Sequence, residues 1–163
     1  MLFRSTLSVL KGFFGAISDE PVTYVNAPQL AKEKGVEVRE VKTSDSQDYV
    51  NLLTLRCDGH AIAGTLTGRR SEQRIVMVED HTTDVPPADH MLVVRNDDRP
   101  GVIGVVGTLL GNANVNIADM DVGKSRQGSS ALMLIAPTTP VPAEVLDALR
   151  AAPGITSVSA LRG

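Results

Sequence analysis

Asn96, Asp97, Asp98 and Arg99 stand together in the stretch NDDRPGVIG, residues 96–104, where an apolar strand-like run gives way to a helix-like one. Residues two apart in a strand point to the same side, so Asn96 and Asp98 are expected to project together at the strand end. Pro100 suits the first helical position, where a missing N–H is no loss. The backbone N–H groups of Gly101, Val102 and Ile103 are then unpaired donors at a helix start. With the helix dipole they make a carboxylate or phosphate site. Asn116, near the start of the second strand, is read as lying where the chain returns to the same sheet end, with an amide that both donates and accepts. A free amino acid needs N–H donors for its carboxylate, an acceptor for its ammonium and an amide for a polar side chain. The seam supplies all three. The competing reading is ordinary helix capping by Asp98, worth about 1 kcal/mol, and spacing alone leaves both open.

The helix that follows carries Gly104, Gly107 and Gly111 at i, i+3 and i+7, one narrow stripe. Each interior glycine costs roughly 1 kcal/mol against alanine, so something is expected to approach the backbone closely there. Packing on the chain's own sheet is the plainer choice; a partner subunit or a ligand is the other. Elsewhere the chemistry is thin. His60, His81 and His90 have no metal-site spacing, and the HTTD stretch at His81 reads as a turn. Cys57 and His60 face each other across a hairpin, but no orienting carboxylate is evident, so Cys57 reads as a buried apolar residue. Ser129 and Ser130 have no partner base. No catalytic residue and no metal ligand is expected.

The elements that must position the seam follow from periodicity. The stretch DVPPAD, residues 84–89, holds two prolines and reads as a linker between two halves. In the second half HMLVVRN is a strand, PGVIGVVGTLLGNA a helix and VNIADMDVGK a strand. SRQG is a turn, SSALMLIAP a strand, PAEVLDALRA a helix and ITSVSALR the last strand. That order is β-α-β-β-α-β, the ferredoxin-like split βαβ motif, with both helices on one face of a four-stranded antiparallel sheet. In the first half STLSVLKGFFGAI reads as a helix end stopped by Gly15. VTYV is a short strand, Asn26 an N-cap with Pro28 in the first turn, and QLAKEKG a helix stopped by Gly35. VEVREVKT, YVNLLTLRC, HAIAGTLTG and RIVMVED read as strands, the second and third joined by a tight Asp58-Gly59 hairpin. The fold class is therefore α+β. The divisions are 5–87 for the first domain and 88–163 for the second. The opening MLFRS resembles a translated adaptor more than a natural start, so residues 1–4 are set aside.

Composition narrows the partners. The net charge of −3 gives no basic patch for nucleic acid or an acidic membrane surface. No apolar run approaches the roughly 20 residues of a membrane-spanning helix. A single cysteine excludes an internal disulfide and a cysteine cluster, and fits a reducing cytoplasm. The ferredoxin-like order also occurs in RNA-binding domains, which stack bases on aromatics of the central strands; here those strands have none.

Residues 96–124, with GSSALMLI at 128–135 and PVPAEVLDALRAAPGITSV at 140–158, resemble the ACT domain, a ligand-binding regulatory module of amino-acid metabolism. The DRPG…VNIA pairing, with Asp98 and Asn116 in register, looks like the serine-sensing ACT domain of D-3-phosphoglycerate dehydrogenases. Residues 10–38 are similar to the intervening domain of the long form of that family, and HAIAGTLTG and RIVMVED fall where that domain has its hairpin and following strand. The resemblance covers nearly all of residues 5–163. It implies that L-serine binds between two ACT domains of a homodimer, Asn96, Asp98, Arg99 and the N–H groups of residues 101–103 coming from one chain and Asn116 from the other. Binding would then slow a distant NAD-dependent active site, a coupling between two sites. Family members commonly carry an aromatic residue or histidine at the position of Asn96. Some hold an anion on basic residues of the intervening domain. Arg74 matches one such position and Pro86 stands at another, so Arg74 is either an anion-site residue or a solvated strand-end charge.

No GxGxxG follows a strand, so this segment is expected to hold no dinucleotide itself; NAD would belong to the parent enzyme. A regulatory region of an L-serine dehydratase, or a stand-alone ACT protein binding a small molecule, is the alternative reading.

Overall fold

The computed structural model describes residues 4–43, 49–125, 128 and 130–162. Residues 1–3 of the set-aside opening, part of the SRQG turn and Ser129 lie outside the described residues. The chain divides into two compact units, Met1–Asp45 and Ser46–Gly163.

The first unit holds two helices, α1 (Arg4–Gly15) and α2 (Ala27–Glu33). Leu10 and Phe14 of α1 and Ala27 and Ala31 of α2 form its buried core, with Val22, Leu30 and Val38 packed against it. Gly35, at φ +69°, ends α2: the next residue, Val36, returns its N–H to the Ala31 carbonyl at 2.8 Å. The two strands expected here, VTYV and VEVREVKT, do not form. Instead Val22 and Val38 serve as apolar caps on the helix pair. Asn26 does occupy the N-cap position, but its side chain makes no cap. Its Oδ1 accepts the Thr23 N–H at 2.7 Å and the Thr23 hydroxyl at 3.1 Å, a local turn that competes with extended backbone.

The second unit is built on two antiparallel four-stranded sheets. The first has the order β1-β2-β3-β4, from β1 (Leu53–Cys57), β2 (His60–Thr67), β3 (Glu72–Val78) and β4 (His81–Val85). Asp58 and Gly59, both at positive φ, join β1 to β2 with Cys57 directly opposite His60. HTTD is thus strand, not turn; the turn is Glu79-Asp80, with Glu79 at φ +56°. The alternation His81, Thr83 and Val85 buried against Thr82 and Asp84 exposed is the period-2 signal that the short polar run concealed. Asp84 and Val85 belong to that strand, and the prolines follow it.

The second sheet has the order β6-β7-β5-β8, from β5 (His90–Asp97), β6 (Ile117–Lys124), β7 (Ser130–Pro137) and β8 (Ile155–Arg162). With α3 (Val102–Asn112) and α4 (Ala143–Ala151) it forms the expected ferredoxin-like βαββαβ arrangement. Val102, Val106 and Leu110 at i, i+4 and i+8 lay α3 on the sheet. With Leu92, Val94, Met133, Ile135, Val145 and Leu149 they make the larger core. The other face of the sheet carries Met91, Val93, Leu132 and Leu134, which pack on Val78 and Val85 of the first sheet. Burying each such side chain is worth about 1.5–3 kcal/mol. No helix among the described residues is long and apolar enough to cross a membrane.

Polar contacts among the described residues tie the sheets together at one edge and on their facing surfaces. At one edge β4 runs beside β6: His81 bridges Ser125, the Asp84 N–H donates to Asp121 Oδ2 at 2.8 Å, and the Ser125 hydroxyl donates to Asp80. Gly123 makes this approach possible, because a Cβ there would collide with the Thr82 carbonyl oxygen and crowd His81 Cβ at 3.1 Å. On the facing surfaces Arg95 donates from Nε to Glu79 Oε2 at 3.3 Å and from Nη2 to Oε1, while His60 Nδ1 lies 3.0 Å from the same Oε1. The Arg95 hydrogen bond holds the Glu79 carboxyl below its ordinary range; partial burial opposes this and the His60 contact adds to it.

Gly123→Ala should destabilise the chain by about 1–3 kcal/mol, the usual range for an overpacked site. Gly12→Ala, inside α1 where an added Cβ meets nothing within 4 Å, should instead be neutral or stabilising by up to about 1 kcal/mol in urea unfolding. Glu79 supplies a pH signature. Its folded pKa is depressed, so its contribution is present above the unfolded carboxylate pKa and is lost as pH falls through the folded value. Urea midpoints measured from about pH 7 down to about pH 3 should fall less steeply for Glu79→Gln than for the wild type.

Candidate functional site

The seam forms where β5 leaves the sheet. The Asp97 N–H donates to the Gly154 carbonyl at 2.9 Å, and the Arg99 N–H donates to the Asp97 carbonyl at 2.8 Å, turning the chain toward α3. Arg99 Nη2 adds an ion pair to Asp97 Oδ2 at 2.7 Å, both side chains being at least half exposed. Gly154, at φ +86° in the turn before β8, completes the corner: a Cβ there would meet Val102 Cγ2 at 3.0 Å and Arg99 Nη2 at 3.4 Å.

Asn96 lies in this corner and is 3% exposed. It shares the helix-side face of β5 with Leu92 and Val94. Its Nδ2 donates to the Asp97 carbonyl at 2.7 Å, and its Oδ1 is buried with no hydrogen-bond partner among the described residues. A buried acceptor left unpaired costs about 1–3 kcal/mol. The strand pairing shifts at this point, between Arg95 and Asn96 opposite β8. Such bulges re-aim side chains at sheet ends.

Asp98 does not cap the helix. The N-cap is Gly101, at φ +93°, and no side chain bonds to the helix start. The left-handed turn at Gly101 delays α3 to Val102, so Asp98 stands three residues before the cap and Pro100 sits just outside the helix rather than at its first position. The unpaired donors are accordingly Val102, Ile103 and Gly104, one residue later than spacing suggested. The Asp98 carboxylate instead pairs with Lys124 Nζ at 2.9 Å. Lys124 was missed from sequence, although the ferredoxin-like order carries the signal: Asn96 pairs with Ala131, and Ala131 pairs with Lys124.

Asn116 is not at this end of the sheet. Strands β5 and β6 both run antiparallel to β7 and are therefore parallel to each other. The level of Asn96 corresponds to Lys124, eight residues after Asn116, which puts Asn116 roughly 25 Å away along the sheet at about 3.3 Å per residue. Its backbone carbonyl accepts the Thr138 N–H at 2.9 Å, and its side chain is exposed. Within one chain Asn96, Asp98, Arg99 and residues 101–103 thus lie along the turn from β5 into α3, and Asn116 lies at the opposite end of the sheet.

The glycine stripe faces away from the sheet. A Cβ at Gly104, Gly107 or Gly111 would meet nothing within 4 Å, so close packing on the chain's own sheet does not account for these glycines. Ile103 and Val105 beside them are 48% and 37% exposed, giving α3 an apolar outer surface. Arg74 is not a free strand-end charge. Its Nε donates to Asp84 Oδ1 and its Nη2 to the Asp84 carbonyl, both at 2.6 Å, and this partner raises its already high pKa. An anion there would have to compete with Asp84. Among the described residues no His, Cys, Asp and Glu cluster could hold a metal.

Residues 4–79 match the family model of the D-3-phosphoglycerate dehydrogenase intervening domain, and residues 90–154 match that of the ACT domain. Among curated proteins, the D-3-phosphoglycerate dehydrogenase of Mycobacterium tuberculosis strain H37Rv is 36% identical over 151 residues, covering 90% of this chain and 29% of the relative. That of Synechocystis sp. is 37% identical over 153 residues, covering 91% and 27%, and that of Archaeoglobus fulgidus 35% identical over 156 residues, covering 92% and 29%. The chain spans under a third of the length of these relatives. The ACT match spans β5, β6 and β7 with both helices, stopping just before β8, and it contains the seam. With both domain families matched in order along the sequence, the chain belongs to the regulatory-region family of D-3-phosphoglycerate dehydrogenase, an intervening domain followed by an ACT domain.

Proposed function

We propose that this chain is the amino-acid-sensing part of a D-3-phosphoglycerate dehydrogenase and binds L-serine as a feedback effector at the seam of a paired ACT domain. The parent enzyme oxidises 3-phosphoglycerate with NAD at the entry to L-serine synthesis, and the cofactor belongs to its catalytic part. The observation that carries the reading is the buried, unpartnered Oδ1 of Asn96 beside a helix N-terminus that no side chain caps. A zwitterionic amino acid answers both. Its ammonium or hydroxyl donates to Asn96 Oδ1 and Asp98, and its carboxylate meets the N–H groups at the start of α3. Arg99 stands beside the same corner as a further cation.

A second chain completes the set. A two-fold axis perpendicular to the strands reverses the partner's sheet, so the end that bears the partner copy of Asn116 comes to the seam of the first chain. The open glycine face of α3, with Ile103 and Val105 exposed beside it, suits close approach of another helix. Ligand between two ACT domains then biases their relative placement, and the catalytic part feels it as a coupling free energy, typically about 1–3 kcal/mol.

Isothermal titration with L-serine should show saturable binding that Asp98→Ala and Asn116→Ala each weaken by at least about tenfold, the loss of one charge-assisted or amide hydrogen bond. Equal affinity in wild type and both variants would sink the site. Sedimentation velocity should show a dimer that Gly107→Leu disrupts. A monomer at all concentrations, with and without serine, would remove the interface on which Asn116 depends.

A further inference from the structure

The two facing sheets of the second unit do not close along their whole width. On the β3, β4, β5 and β7 side they meet in a continuous apolar core. On the β1, β2 and β8 side they leave a groove of about 380 Å³. Leu55 and Ile62 line one wall, Val93 and Leu161 the other, and Leu55, Ile62 and Leu161 are each more than one third exposed. Four reactive or charged side chains stand at one end: Cys57, His60, Glu79 and Arg95. None belongs to the seam.

Their arrangement supplies what the sequence lacked. Cys57 is exposed, because β1 is an edge strand with both faces open. It is directly opposite His60 in the β1–β2 register, and opposed residues of a hairpin have Cβ atoms about 5 Å apart on the same face. The missing orienting carboxylate is Glu79. Its Oε1 lies 3.0 Å from His60 Nδ1, and Arg95 holds it ionised from the other sheet. A carboxylate at Nδ1 accepts the hydrogen bond of that nitrogen, so Nε2 is the nitrogen left to act as a base. Arg95 also reaches Ser157 Oγ at 3.3 Å, so the carboxylate is held from a rigid strand. The chain has no cysteine besides Cys57.

We propose that Cys57 is a site of reversible thiol–disulfide exchange, with His60 as its base, Glu79 as the residue that positions His60, and the intersheet groove as the seat for the apolar part of a small disulfide. In the step, His60 Nε2 takes the Cys57 proton and Sγ attacks one sulfur of the disulfide. The new S–S bond forms as the old one breaks. The Cys57 sulfur is oxidised, the other half of the reagent is reduced and leaves as a thiolate, and it regains the proton from the imidazolium. The adduct then occupies the groove between the two sheets. This site is independent of serine binding, and neither proposal needs the other.

The test uses the whole chain and 2-hydroxyethyl disulfide, with intact-mass spectrometry reading the adduct over time. Because there is one cysteine, the mass shift reports Cys57 alone. Near pH 7 the folded wild type should react faster than the same chain in urea, and His60→Gln should slow the folded rate by about tenfold or more. Glu79→Gln should produce a smaller loss. The curves should converge by about pH 10, where a thiol ionises without help. A merely structural change would offset the rate at every pH, so parallel curves would overturn the role of His60. A folded rate no greater than the urea rate would overturn the site.

Discussion

The strands β5 and β7 are covered on both faces, and the rest of the second unit is arranged around that fact. Leu92, Val94, Met133 and Ile135 point to the helices, while Met91, Val93, Leu132 and Leu134 point to the first sheet. A strand pair buried on both sides can carry polar side chains only where it ends. Asn96 is at the last such position on β5, and it is among the few buried polar residues of the unit. The seam is therefore where it is because the double covering stops there. The closure of the second layer also depends on one small residue: Gly123 lets the β4 backbone reach β6, and without it the first sheet could not seat its edge.

The double covering explains what could be read in advance. HMLVVRN and SSALMLIAP are near-continuous apolar runs, as strands buried on both faces must be. The two helices announce themselves by their period, and the βαββαβ order follows. The first half was harder for a physical reason. Valine-rich segments such as VTYV and VEVREVKT have strand propensity, but propensity is settled by available partners, and these segments pack on helices instead. HTTD failed in the opposite direction, since a polar alternating pentapeptide becomes a strand when a neighbouring strand and a β6 edge accept it.

The candidate site was legible in its parts more than in its assembly. Asn96, Asp98 and the α3 start follow one another along the turn that leaves β5, with Asp98 paired to Lys124. The position of Asn116 was misjudged, and the error lies in the connection: after a strand and a crossover helix, the next parallel strand begins at the far end of the sheet. Capping by Asp98 failed because Gly101 takes the left-handed turn and moves the helix start beyond its reach. Glu79 could not be paired with His60 from sequence, since nineteen residues and a hairpin separate them. Its partner Arg95 comes from the other sheet altogether.

The imperfections of the isolated chain are not scattered. The unpaired Asn96 Oδ1, the uncapped start of α3 and the three open glycines all lie on one helix and the corner beneath it. Each is unfavourable by itself: about 1–3 kcal/mol for the buried acceptor, a few tenths for a glycine at the N-cap and roughly 1 for each interior glycine. Natural sequences are locally consistent with their folds except where function asks otherwise. A helix whose inner face is packed with Val102, Val106 and Leu110, and whose outer face and N-terminus break several rules together, is well made for its own sheet and incomplete toward something else. An amino acid at the corner and a second helix on the outer face would resolve all of these features together. Neither a better cap nor a repacked core would do so, because among the described residues nothing lies within 4 Å of a Cβ at any of these glycines.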